Sequence, residues 1–562
     1  MRKIQVMFSM MMLLMTVLTV SKVEAKEIEA TPTMTDILLN DELYTAGVYN
    51  IEGNNYFQLR DVAQILSEGS SKFDIGWDQK NKMIQIIPKK QYSFDYATYD
   101  YAKDDSYNIT YNETKLLKDD KIFSMKAYII DNATYFQLRE LSAILGIEVG
   151  YDAKENKVTV KTEPIAGVHY IGKVNFDGTN LKSGEHPRWA EPVTSFIYEN
   201  SNNTITTVDV NDEITITTYD PNYKVQATKE LKLELPIFGT FYSGEQFNYI
   251  SYGQENKEET NKEVIRVVKY DKNFNRIAAA SITGDAITTT IPFNSATGRM
   301  AEQGDVLAYH TSRTRYTGDD GLNHQSQLTF EINTQTMQVM NELKPFPWNH
   351  VSHSFDQYVL FDGNSPVYLD HGDAYPRSLV LNRGNSKDNS KSIFEISGAT
   401  GANVTGVSIG GFEQSNDHLL VAFNSINQNN NYGYTSFDLV GGDVNKRNIY
   451  VYAVEKGFTK EQGNIIKTEI ANYEKSNLYT TTPTLVKVNN DKFVVLWQEY
   501  TENSNAEDFK FVYLNGKGEM TSAVQTLPDF ELSKVQPIVI NNKLIWFTTK
   551  GNKKTVYEMK MD

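Results

Sequence analysis

Five of the chain's eight histidines lie between residues 310 and 371. They come with other polar groups able to act on a ligand. The run begins at His310, Arg313 and Arg315. It continues through Asp319-Asp320-Gly321-Leu322-Asn323-His324 and His350-Val351-Ser352-His353. It ends at Asp370-His371-Gly372-Asp373-Ala374-Tyr375-Pro376-Arg377. Guanidinium and carboxylate groups grip hydroxyls and planar acids, and an exposed tyrosine ring can stack on a sugar. The candidate ligand-binding residues are therefore His310, Arg313, His324, His353, His371, Asp373, Tyr375 and Arg377. In this reading their loops share one face, Asp373 and Arg377 fix hydroxyls or a carboxylate, and Tyr375 stacks. The same residue types also build turns: Asp and His cap them, and Gly372 and Pro376 shape a strand entry.

Histidine and aspartate can ligate a metal together, but no spacing here matches a zinc or calcium motif. Asp271-Lys272-Asn273-Phe274-Asn275 lacks the glycine and distal glutamate of a calcium loop and reads as a hairpin turn. No metal and no cofactor is expected. There is no G-x-S-x-G elbow, no H-E-x-x-H and no phosphate-binding loop, so no catalytic residue is assigned. Carboxylate pairs that cleave glycosides are defined by distance in space, not by spacing along a chain. A polysaccharide hydrolase thus stands as the alternative to a non-enzymatic binding protein.

The elements that must position these residues are strands. From Pro164 onward, helical periodicity is lost, and short apolar runs alternate with Asn/Gly/Asp/Lys turns. Tyr219-Asp220-Pro221-Asn222-Tyr223 returns as Tyr270-Asp271-Lys272-Asn273-Phe274, and Phe330-Glu331-Ile332 returns as Phe394-Glu395-Ile396. Pro483 with Asn489-Asn490 and Trp497 resembles Pro537 with Asn541-Asn542 and Trp546. A period of roughly 40–60 residues fits one four-stranded blade. The fold class is therefore mainly β, with residues 164–562 a β-propeller of six or seven blades. The approximate blades are 194–235, 238–285, 293–342, 351–398, 404–471, 478–528 and 534–562. A strand near Val168–Phe176 would complete the last blade and remove the free edges. A chain of β-sandwiches is the rival, but no Pro- or Ser-rich linker separates such units.

Residues 36–162 contain a duplication. Tyr56-Phe57-Gln58-Leu59-Arg60 recurs identically as Tyr135-Phe136-Gln137-Leu138-Arg139. In each copy an apolar stripe follows at helical spacing: Leu59, Val62, Ile65 and Leu66, then Leu138, Leu141, Ile144 and Leu145. Two short strands precede each helix and a hairpin follows it, which makes an α+β unit of tandem ββαββ repeats. The frame Tyr49-Asn50-Ile51, then Gly53-Asn54-Asn55-Tyr56-Phe57-Gln58-Leu59-Arg60-Asp61-Val62-Ala63, then Trp77-Asp78, resembles the copper amine oxidase N-terminal domain-like (stalk) family of exported Gram-positive bacterial proteins. That resemblance implies a small sheet around a helix that projects from a surface. It does not imply amine oxidation. The oxidase's tyrosine frame is broken here, because three residues instead of two separate Thr468 from Asn472-Tyr473-Glu474, and His350 and His353 are spaced H-x-x-H instead of H-x-H. Arg60 and Arg139 lie just off the apolar stripes, where solvated charges normally sit.

The chain opens with Arg2-Lys3, an apolar run from Ile4 to Val20 and Val23-Glu24-Ala25. This is the pattern of a cleaved export signal, residues 1–25. No second long apolar segment follows, so no integral membrane segment is expected in the mature protein. With no cysteine, stability rests on buried apolar area instead of disulfides. Losing the signal removes three positive charges and one negative, taking the formal charge from −16 to −18. Such acidity disfavours nucleic acid and anionic membranes. The expected organisation is a signal (1–25), a tandem stalk (26–163) and a propeller (164–562). The expectation is a secreted or cell-surface protein that binds a polysaccharide, a cell-wall polymer or another surface protein.

Overall fold

The computed structural model describes residues 29–561 except 40–41, 68–70, 89, 91, 93–108, 120, 153, 163–165, 174–189, 259, 295–296, 341–348, 385, 436, 503–505, 528–529 and 551–552. The expected signal, residues 1–25, and Phe176 lie outside the described residues. The chain divides into two compact units, Met1–Ile165 and Ala166–Asp562.

In the first unit, strands and two short helices, Leu59–Ile65 and Leu138–Leu145, enclose a main core, with a second, tyrosine-rich cluster of Tyr49, Tyr56, Tyr128 and Tyr135. The helical stripe turns inward as its spacing requires: Val62, Leu66 and Leu141 are almost fully buried. Arg60 and Arg139 are exposed. Two self-contained ββαββ repeats are nevertheless not what forms. Three strands precede each helix (Ala30–Leu39, Glu42–Ile51 and Asn54–Gln58 in the first case), and all ten strands join one sheet. The two copies exchange partners. Ile37 of the first pairs in parallel with Val158 of the second, Ile84 pairs in parallel with Leu116, and Phe57 sits opposite Phe136 at the centre. A parallel partner cannot come from a neighbouring hairpin, so each copy takes it from the other and loses its independence.

The second unit is mainly β and propeller-like. Sheet 1 consists of Ser195–Glu199, Ile205–Val210, Glu213–Tyr219 and Val225–Lys232. Sheet 2 consists of Ile237–Ser243, Asn248–Gly253, Glu263–Tyr270 and Arg276–Thr283. Sheet 3 has nine strands between Thr289 and Glu395. Sheet 4 has four between Val407 and Ala471, and sheet 5 has five between Tyr479 and Leu527. Sheet 6 joins Ile538–Ile540, Lys543–Lys550 and Lys553–Lys560 to Ala166–Lys173. There are thus five separate blades of four or five strands and one nine-stranded sheet, not six or seven separate blades. The count differs because a five-stranded and a four-stranded block of sheet 3 are bridged by one pair, Ser326 with Ser352. Strand periodicity carries no sign of such a bridge.

Apolar faces between successive sheets hold the ring. Val208, Ile216 and Phe241 fill the space between sheets 1 and 2, and Phe423, Leu419 and Leu381 that between sheets 3 and 4. Trp546 of sheet 6 stacks on Phe509 of sheet 5 with centroids 5.4 Å apart, and its indole N–H donates to the Glu531 carbonyl. Burying each such side chain contributes roughly 1.5–3 kcal/mol. Sheet 6 returns to sheet 1. Ile545 and Phe547 pack with Ile197 and Ile205, and the buried Lys554 ammonium donates to Asp209 and, at 2.8 Å, to the Thr207 hydroxyl. The leading strands Ile237–Ser243, Arg299–Gln303, Ser352–Asp362, Val407–Gln414 and Thr484–Lys487 touch in succession, and Ser195–Glu199 touches Ile538–Ile540. Gly410 and Gly411 permit one of these contacts: a Cβ on Gly410 would meet the Pro483 carbonyl oxygen at 1.8 Å.

The repeat of 219–223 at 270–274 is one turn used again in successive sheets, whereas Phe330 and Phe394 of the second repeat lie on strands. Asp220 Oδ1 accepts the backbone N–H groups of Asn222 and Lys224, and Asp271 Oδ1 accepts those of Asn273 and Asn275. Tyr223 and Phe274 take the left-handed conformation that closes each turn. Asp271 is spent on its own hairpin.

Candidate functional site

The polar run of residues 310–377 falls in sheet 3, mostly on strands. His310 and Arg313 lie on Val306–Thr317, His324 on Asn323–Asn333, His353 on Ser352–Asp362, and His371 and Asp373 on Ser365–Ala374. Tyr375 and Pro376 form the turn that follows, and Arg377 precedes Ser378–Arg383. The expected shared face of loops does not form. His310, Arg313, His371, Asp373 and Arg377 are all at most 8% exposed. Long, continuously buried strands run through the interior here and carry polar groups, some hydrogen-bonded and some, such as His310 Nε2 and Asp370 Oδ2, close together without a hydrogen bond.

His310 sits between Asp370, 3.1 Å from its Nε2, and the Thr329 hydroxyl, 3.0 Å from its Nδ1. Ser354 donates to the other oxygen of Asp370 at 2.7 Å. This line of carboxylate, imidazole and hydroxyl has the chemistry of a nucleophile-activating chain. Its members are buried within sheet 3. Arg313 donates to the Ile287 carbonyl, and burial together with neighbouring Arg315 pulls its guanidinium below the usual range. His371 binds the Thr405 hydroxyl at 2.9 Å and meets the Phe355 ring edge-on. Desolvation, with Arg447 and Arg377 nearby, holds its pKa down at about 3. His350 is held at about 4 by burial and by Arg315 and Arg313.

Asp373 and Arg377 form a buried ion pair. The Asp373 carboxylate also accepts the Asn403 N–H at 3.0 Å, and His353 Nδ1 lies 3.4 Å away. Arg377 further donates to the carbonyls of Ser397 (2.9 Å) and Val404 (2.6 Å). The pair therefore clamps the turn between two strands onto the 397–404 segment. His324 pairs with Asp320 at 2.6 Å and lies 6.0 Å from the His353 ring. Tyr375 alone is presented: 76% of it is exposed, at the tip of the clamped turn. Beside it opens a cavity of about 740 Å3 whose lining includes His350, Lys387, Asp388, Lys391 and Lys460.

Two features escaped the sequence reading. A second cavity of about 600 Å3 lies between sheets 1 and 2, lined by Tyr198, Asn200, Thr206, Thr218, Lys272 and Asn273 among others. In addition, two carboxylates on leading strands are desolvated: Asp356 is pushed up to about 6 and Glu413 to about 7. Arg299 and the Thr297 hydroxyl lower Asp356 in part, and Lys487 lowers Glu413. Neither feature has a motif, because each depends on which strands become neighbours. Tyr473 of the broken oxidase frame is buried; it donates to Glu499 at 2.6 Å and accepts the Trp497 indole N–H at 2.8 Å. No group of three metal-ligating side chains placed to hold an ion exists among the described residues.

No family model matches the chain, and no curated protein matches it. Among solved structures it is similar to an ulvan lyase of a polysaccharide lyase family, with 8% identity over 69% of this chain and 94% of that one and a TM-score of 0.37. It is similar to a subtype N10 neuraminidase-like protein of A/little yellow-shouldered bat/Guatemala/060/2010, with 8% identity, coverage of 60% and 97%, and a TM-score of 0.32. It is also similar to a mutant of AofleA from Arthrobotrys oligospora, with 9% identity, coverage of 67% and 94%, and a TM-score of 0.31. These likenesses say nothing of ligand or chemistry.

Proposed function

We propose that this is a secreted or cell-surface binding protein whose propeller-like unit holds a glycan, a cell-wall polymer or another surface protein. The single observation that carries the reading is Tyr375. An exposed aromatic ring stands on a turn clamped by a buried ion pair, beside an open polar cavity. A ring held out in this way binds without first losing conformational freedom. The cavity wall sets Lys387, Lys391 and Lys460 against Asp388 and Glu461, a mixed-charge surface that can meet both hydroxyls and scattered acidic groups of a polymer. The first unit supports surface display through its resemblance to the stalk family, and the N-terminal pattern supports export. No helix among the described residues is long and apolar enough to cross a membrane.

The test is co-sedimentation of the chain from Lys26 with cell-wall sacculi and with insoluble polysaccharides. Retention that falls at least tenfold in Tyr375→Ala supports the reading. Equal retention of both proteins, or none, removes it.

A second reading, a polysaccharide hydrolase, is favoured by Asp356 and Glu413. Carboxyl groups poised near neutral pH suit general acid catalysis. Release of reducing ends by the native chain, lost in both Asp356→Asn and Glu413→Gln, would establish it over simple binding.

A further inference from the structure

We infer that the groove between sheets 1 and 2 is a binding site for a neutral saccharide, separate from the surface beside Tyr375. Its volume, about 600 Å3, falls within the roughly 300–1,000 Å3 usual for small-ligand sites. One wall comes from the Glu199–Thr206 hairpin of sheet 1. The opposite wall comes from two turns of sheet 2, around Gly244 and around Asn273.

Both walls are pre-set. In the hairpin, Asn200 Nδ2 donates to the hydroxyls of Thr204 (3.0 Å) and Thr206 (2.8 Å), and Thr206 and Thr218 share a hydrogen bond of 3.1 Å. Across the groove, Lys229 reaches from sheet 1 and donates to the carbonyls of Asn273 and Phe274, each at 2.9 Å. Lys272 donates to the Ser243 hydroxyl at 2.9 Å, to the Gly244 carbonyl and to Asn248 at 3.3 Å. The sheet 2 turn is thus tied from both sides before any ligand arrives. Its geometry needs little ordering on binding.

The chemistry of the lining selects the ligand class. Both lysines already donate to neutral carbonyl, hydroxyl and amide acceptors of the protein, and Glu199 and Glu245 balance their charge at the rim. No surplus charge faces the groove to hold an anion. What remains is an amide and hydroxyl surface beside two aromatic residues, Tyr198 and Phe274, with the Lys272 ammonium over the Tyr198 ring 5.7 Å from its centre. The side chains of Ser201, Glu245 and Asn273 are exposed and make no hydrogen bond among the described residues. They offer donors and acceptors to the hydroxyls of a sugar whose apolar face lies on Tyr198. This pairing of a stacked ring with convergent neutral polar groups fits an uncharged polyol ring better than a flat apolar ligand or an acid.

The test is isothermal titration of the chain from Lys26 with cellohexaose, xylohexaose, mannohexaose, maltohexaose and chitohexaose, and with hexagalacturonate as the acidic comparison. We expect at least one neutral hexamer to bind and hexagalacturonate to bind at least tenfold more weakly at this site. Asn273→Ala and Ser201→Ala, both at exposed positions, should weaken the neutral hexamer about tenfold together. Tyr198→Ala should abolish binding, whereas Tyr198→Phe should retain it because the stacking face remains. Tyr375→Ala should leave it unchanged. No binding by any neutral hexamer, tighter binding of hexagalacturonate through these residues, or loss in Tyr375→Ala with none in the groove variants would overturn the inference. Loss of sacculus retention in Tyr375→Ala with intact hexamer binding would separate this site from the surface proposed above.

Discussion

The surface at Tyr375 and the groove at Tyr198 each combine one tyrosine with a polar cavity, but they are built from opposite materials. The first stands on buried charge: Asp373, Arg377 and their backbone partners. The second stands on amides, hydroxyls and lysines tied to carbonyls. A buried ion pair sets geometry firmly but leaves a stranded charge when half of it is removed. A net of neutral hydrogen bonds sets geometry with smaller individual stakes, each contributing about 0.5–1.5 kcal/mol. Most of the residues conspicuous in the sequence, His310, Arg313, His371, Asp373 and Arg377, are therefore buried, whereas Tyr375 of the same run stands exposed.

This contrast is most easily broken at its base. Arg377→Ala should lose about 3–5 kcal/mol of stability by strandings of this kind, read by urea unfolding, while Asn200→Ala in the groove should lose about 1–2 kcal/mol. Equal losses would erase the distinction between the two regions.

Acidity should sharpen it next. His371 has a folded pKa of about 3 against an ordinary 6.5. It stays neutral in the folded chain while the unfolded chain takes up a proton. Its contribution is complete above pH 6.5 and is lost as pH falls toward 3, at up to about 1.4 kcal/mol per pH unit. His371→Asn should flatten that decline in unfolding measured between pH 7 and 5. Glu413 acts in the opposite sense. Its folded pKa is raised to about 7, so its contribution is present below the ordinary carboxyl range and lost as pH rises through 7. Glu413→Gln should flatten the curve between pH 5 and 8. An unchanged profile in either variant would contradict the assigned burial.

A finer comparison concerns two exposed groups, one from each proposed site. Tyr375→Ala and Asn273→Ala should each leave stability within about 0.5 kcal/mol while changing binding to different probes. A melting-temperature loss in either would mean that the residue is part of the scaffold. The smallest effect belongs to the first unit: Arg139→Ala, at an exposed helix position, should shift its unfolding by no more than about 0.5 kcal/mol.

Much of the fold was legible because it depends on local periodicity. The stripe Leu138, Leu141, Ile144 and Leu145 announces its helix, and the aspartates at 220 and 271 announce their turns, since each acts within a few residues of itself. Partnership between distant strands was not legible. The exchange that pairs Ile37 with Val158 and the bridge of Ser326 to Ser352 join segments whose own patterns would suit other partners equally well. The candidate site shows the same limit. His371 and Arg377 are polar in any reading, and only packing against Thr405, Ser397 and Val404 decides that they face inward.

The sequence by itself determined a cysteine-free, acidic, mainly β chain with a duplicated N-terminal segment, because composition and short-range spacing are sufficient for those. The tertiary structure alone decided which polar residues are buried, how many separate sheets close the ring, and that a hydroxyl-lined groove opens between the first two. Each of these depends on contacts between residues far apart in the chain, and residue spacing does not encode distance in space.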